Sequence, residues 1–97
     1  MHDTLTMEIF SPLVNEEFNV YIGDTALSAR LLEVTPLRAS RDDPDHQAWS
    51  LVFQFPPQQL FDQGTYEFEH ADTGRMAVFV VPIGQDENGV RYQAIFN

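Results

Sequence analysis

The chain reads as an all-β protein: a small, partly closed antiparallel barrel or sandwich of about six strands, with a short N-terminal helix. Three observations predict it. Apolar and polar residues alternate through most of the chain from Glu17 to Phe96. Turn residues (Gly23-Asp24-Thr25, Asp72-Thr73-Gly74 and Asn88-Gly89) punctuate these runs, so that strands recur at a spacing of about ten residues. The alternation also slips by one residue at Leu31-Leu32, as a β-bulge or barrel corner requires. Such a pattern favours an antiparallel barrel over a parallel α/β sheet.

The first element is the helix. Ile9, Phe10, Leu13 and Val14 fall at helical spacing, Thr4 or Thr6 is placed to cap, and Glu8 lies in the first turn. Pro12 keeps it short, because its ring removes a donor and clashes one turn back. This segment is expected to plug one end of a sheet. Phe18, Val20 and Ile22 then alternate as a strand, and Leu27, Ala29 and Leu31 resume the pattern after the turn. Beyond the slip, Leu32 and Val34 carry the apolar face, and Pro36 ends regular pairing or marks an edge.

Arg38 to Gln47 is a polar loop. Trp49, Leu51, Phe53 and Phe55 form the apolar face of the next strand, which Pro56-Pro57 stops. Leu60 and Phe61 are expected to tuck under the core as a satellite. Tyr66, Phe68 and His70 alternate with Thr65, Glu67 and Glu69, and Gly74 suits the positive φ of a hairpin loop. Met76 to Val81 is apolar on both faces, so this strand is expected to be central or covered by two layers. After Asn88-Gly89, the last strand presents Val90, Tyr92, Ala94 and Phe96. No internal repeat or linker is visible.

Composition bounds the function more tightly than any motif. The 97 residues make one domain, 1–97, with room for a modest core but not for a deep cofactor cleft and a lid. A hydrophobic content of 43% excludes a disordered chain despite the net charge of -10. Five arginines, no lysine and fifteen acidic residues exclude binding to nucleic-acid backbones, which needs clustered cations. With no cysteine, disulfides, thiolate catalysis and Cys-based metal sites are all excluded. The N-terminus lacks a basic region and a long apolar run, so no signal peptide is expected. The apolar stretch Met76 to Ile83 is too short to span a bilayer. A soluble cytoplasmic protein without membrane contact is the expectation.

One stretch of the C-terminal half carries a resemblance. Gln63-Gly64-Thr65-Tyr66-Glu67-Phe68-Glu69-His70, Gly74, Phe79-Val80-Val81-Pro82-Ile83-Gly84 and Arg91-Tyr92-Gln93-Ala94-Ile95-Phe96-Asn97 form its core. With Phe10, Leu13-Val14 and Phe18 upstream, the chain resembles an uncharacterised family of small bacterial proteins known as a domain of unknown function. Members of that family are often encoded beside phage tail-collar-like proteins. The resemblance implies a tail-related accessory role and brings no catalytic residue with it. It does not extend to Arg38–Gln47.

The candidate sites are weak. Asp42, Asp43, Asp45 and His46 hold metal-ligating groups, but without the alternate spacing, central glycine and closing glutamate of a calcium loop. A solvated acidic loop is the expectation there, and a hairpin turn at Asp86-Glu87-Asn88-Gly89. His70 has no nucleophile tied to it by a motif, which points to a hydrogen-bonded structural histidine rather than a general base. Glu67 and Glu69 stand about 7 Å apart by strand geometry, as any two outward neighbours do, and read as a solvated face.

Trp49, Tyr66, His70 and Tyr92 are the residues of a possible binding surface, since exposed aromatic clusters mark interfaces. No catalytic residue, cofactor or metal site is expected, and the chain is not expected to be an enzyme. The reading is a non-catalytic interaction or accessory protein with an unidentified protein partner, which the family resemblance ties to a phage-tail-like assembly. The alternative is a small-molecule or carbohydrate-binding β-barrel. An exposed apolar patch favours the first, and a polar-and-aromatic cavity the second.

Overall fold

Alternation of period two sets one face of each strand against the next, and six such strands close on themselves. The computed structural model describes residues 7–37, 48–57 and 61–96. A four-residue helix, α1 (Met7–Phe10), runs into a 3₁₀ turn over Ser11–Leu13, shortened as Pro12 dictates. The strands are β1 (Glu17–Ile22), β2 (Thr25–Pro36), β3 (Trp49–Phe55), β4 (Gly64–His70), β5 (Gly74–Asp86) and β6 (Gly89–Phe96). They form a closed barrel in the order β1-β2-β3-β6-β5-β4, with every neighbour antiparallel. The strands thus close into the small antiparallel barrel that the alternation predicts.

Closure depends on two long strands that change partner midway. β2 pairs with β1 up to Arg30 and with β3 from Arg30 to Pro36, with its register shift between Leu31 and Glu33, where the alternation slips. β5 pairs with β4 from Gly74 to Val80 and with β6 from Val81 to Asp86, with a second shift between Pro82 and Gly84. A bulge adds bend and twist, which turns the corner of a small barrel. The two three-stranded units, β1–β3 and β4–β6, thus share one plan although no repeat shows in the sequence. They join through Val20 opposite Phe68 and through Val52 opposite Gln93.

Inward residues make a column of rings along the barrel axis. Phe18 meets Phe53 at 5.3 Å, Phe53 meets Phe68 at 4.7 Å, Phe68 meets Phe55 at 6.1 Å and Phe55 meets Tyr92 at 4.3 Å. All five are at most 1% exposed. At one end Phe10 of α1 sits 5.4 Å from Trp49 and 6.4 Å from Phe18, so the short helix is a plug. Its exit is fastened to the β2 bulge: the Asn15 N–H donates to the Leu31 carbonyl, and the Leu31 N–H donates to the Glu16 carbonyl. Asn15 takes φ 77° there, a left-handed conformation that asparagine tolerates better than most residues. At the other end Phe61 packs against Phe55, as the sequence leads one to expect. Leu60, the Arg38–Gln47 loop and the capping residues Thr4 and Thr6 lie outside the described residues.

One expectation holds in part: β5 is central in having β4 and β6 on either side, but it is not covered by two layers. Val78 and Val80 of β5 are buried, but Phe79 is 54% exposed, so no second layer covers the outer face of the strand within the described residues. Its apolar character on both sides arises from one buried face and one bare one.

Candidate functional site

The four aromatic and histidine candidates separate into two pairs at opposite ends of the barrel. Trp49 stacks on Phe96 at 4.3 Å beside the helical plug and is almost completely buried. His70 lies at the same end, its ring 4.8 Å from Phe18. The Asp72 N–H donates to His70 Nδ1 at 2.9 Å. That leaves the proton on Nε2, which lies 3.0 Å from Glu16 Oε1 and donates to it. Nδ1 thereby serves the β4–β5 turn, and Nε2 joins β4 to the segment between the plug and β1, the hydrogen-bonded structural role expected of this histidine.

Tyr66 and Tyr92 gather around Phe61 at the far end. The Phe61 N–H donates to Tyr92 Oη at 2.7 Å, and the Tyr92 O–H donates back to the Phe61 carbonyl at 2.8 Å. A fully buried phenol thus pins the segment that closes the barrel, satisfying its own polar end as burial demands. The Tyr66 O–H donates to the Asp62 carbonyl at 2.6 Å, and burial pushes the Tyr66 phenol above its usual pKa. These residues hold the two ends shut. They do not share one surface.

The carboxylates on the outer faces are also accounted for locally. Glu67 pairs with Arg75, whose guanidinium stands 4.3 Å over the Tyr21 ring. Glu69 accepts from the Tyr21 O–H at 2.6 Å, which holds the Tyr21 phenol above 10.0, its ordinary value. At the last hairpin Asp86 accepts from Arg91 at 2.7 Å and from the Asn88 N–H at 2.8 Å. These bonds hold the Asp86 carboxyl below its ordinary value. That is turn chemistry, as the sequence suggests. No group of residues suited to holding a metal ion occurs among the described residues. Asp42, Asp43, Asp45 and His46 lie outside them.

What the sequence reasoning missed is a bare strip on the outside of the barrel. Phe79 (54% exposed) and Ile95 (56%) are its largest members, with Ile83 (50%) in the β5 bulge. The β5–β6 pairing stops at Val81 opposite Gln93, two residues short of Phe79 on β5 and of Ile95 on β6. Beyond β6, Ile95 lies opposite Ser50 and Gln93 opposite Val52 on β3. Phe79 and Ile95, with the half-buried Val81 and Gln93, therefore form an uncharged outer stretch, bordered on β3 by the buried Val52 and Ser50. The signal was the double-sided apolar run Met76–Val81, which sequence alone assigns as readily to burial.

The described residues define an acidic, closed antiparallel barrel, plugged at both ends and apolar along one outer face. The chain belongs to the DUF6916 family, a domain of unknown function, whose family model matches residues 5–96. No curated protein and no solved structure matches it.

Proposed function

We propose that this is a non-catalytic interaction or accessory protein that binds another protein through the outer β5–β6 face. The exposed strip of Phe79, Ile83 and Ile95 carries this reading. Half-exposed aromatic and aliphatic side chains on neighbouring strands forgo burial that would otherwise stabilise the fold, and contiguous apolar patches on small proteins mark interaction sites. The alternative, a small-molecule or carbohydrate-binding barrel, needs space inside, and here the axis is occupied by rings in contact from Phe18 to Tyr92. The family resemblance supplies the phage-tail-like setting of this proposal.

Affinity capture from cells that express the protein tests this. The wild-type chain and a Phe79→Thr/Ile95→Thr variant serve as baits, threonine keeping strand propensity on an outer face. The wild-type bait should retain structural proteins of a tail-like assembly that the variant loses. Identical sets of captured proteins from both baits would overturn the reading.

A further inference from the structure

We propose that the β5–β6 face takes a cationic partner: a protein segment that lays apolar side chains on the Phe79–Ile95 strip and surrounds them with lysine or arginine. This rests on the reading that the face is a protein-binding surface, and it adds the chemistry of what binds. The strip by itself is small. Three half-exposed side chains offer on the order of 300 Å², against the ~800 Å² per partner of a standard interface. Burial of these residues alone therefore does not secure a stable complex, and the surrounding charge must contribute.

That charge has one sign. The described arginines are all committed: Arg30 to Glu17, Arg75 to Glu67 and Arg91 to Asp86. Glu33, directly opposite Val52 on the neighbouring strand, has no cation near it among the described residues. Neither has Glu87, in the hairpin that ends β5. The apolar strip thus stands on a molecule of net charge -10, with the unpaired carboxylates Glu33 beyond β3 on one side and Glu87 in the hairpin past Ile83 on the other. A second copy would bring a molecule of the same net charge, -10, to this face, whereas a basic partner is steered to it and pairs with Glu33 and Glu87. The uncharged strip matters equally, because apolar groups of the partner dock there without desolvating a charge.

Titration of the isotope-labelled full chain, followed by amide NMR, tests this with three short helical peptides. One has a leucine stripe flanked by lysines, the second the same stripe flanked by glutamates, and the third the lysines with serine in place of leucine. The leucine–lysine peptide alone should shift the amides of Phe79, Val81, Gln93 and Ile95. Its binding should weaken about tenfold in the Phe79→Thr/Ile95→Thr variant, and several-fold between about 50 and 300 mM salt as Glu33 and Glu87 are screened. Equal binding of the leucine–glutamate peptide at these amides would overturn the cationic partner while leaving the surface reading intact. If no peptide moves these amides, the surface reading itself fails. Shifts spread over the carboxylates and unchanged in the variant would mean unspecific attraction and overturn the proposal. Concentration-dependent shifts of the same amides without peptide would also overturn it, because the occupant would then be a second copy.

Discussion

Gly89 shows how narrowly a single position can be constrained. Its φ of 144° lies where side chains are disfavoured, and a Cβ there would collide with the Phe55 carbonyl oxygen on the adjoining strand. Gly74 also has positive φ, 72°, but open space around it. Gly89→Ala should therefore cost more than about 3 kcal/mol and Gly74→Ala about 1 kcal/mol, the difference being the backbone collision. Urea denaturation of the two variants checks this, and equal losses would contradict it. Tyr21 supplies a pH prediction at the same scale. Its phenol is raised first by the hydrogen bond to Glu69, then by burial and by the Glu69 charge, with Arg75 opposing. The folded state thus favours the neutral phenol. Its contribution to stability is fully present below pH 10.0, the ordinary value, and is lost as pH rises through the higher folded value. Tyrosinate absorbance against pH should show this late step, and Glu69→Gln should bring it back toward the ordinary value. A late step that survives Tyr21→Phe unchanged would refute the assignment.

Among the elements, the last strand bears the heaviest structural load. β6 joins the two halves of the barrel, pairing with β3 from Val90 to Phe96 and with β5 from Gly89 to Gln93. Tyr92 and Ala94 are buried within it, and Tyr92 also pins Phe61. Losing a buried aromatic side chain costs about 3–5 kcal/mol, against a total of about 5–15 kcal/mol for a domain. A chain ending at Arg91 should therefore be unfolded. Circular dichroism and a thermal melt decide it: a cooperative transition within a few degrees of the full chain would show that β6 is dispensable. The helical plug illustrates the opposite economy, since α1 has only four residues and owes its order to packing of Phe10 rather than to helix propensity.

For the whole molecule, charge governs behaviour in solution. At net -10 and a pI of about 4.3, copies repel at neutral pH and lose that repulsion as carboxylates protonate. Light scattering should rise from pH 8 toward pH 4, and precipitation at pH 8 with clear solutions near the pI would contradict the argument. The bare β5–β6 strip sharpens this prediction. Once the charge is gone, that face is the place where copies adhere, so the Phe79→Thr/Ile95→Thr variant should scatter less than the wild type at low pH.

Short-range pattern was enough for much of this architecture. The Leu31-Leu32 slip, the Gly74 and Asn88-Gly89 turns and the inward set Trp49, Leu51, Phe53 and Phe55 all appear where period and turn chemistry put them. Each is decided within a few residues, by sterics at a glycine or by which side of a pleat is apolar. Pairings of distant strands are different. That β1 meets β4, and β3 meets β6, follows from mutual burial of residues far apart in the chain, which alternation does not encode. For the same reason, sequence did not separate Trp49 and Tyr92, drawn into the barrel, from Phe79 and Ile95, left outside. Period two divides a strand into two faces. Only the closed tertiary structure decides which face finds a cover, and on β5 the uncovered one is apolar.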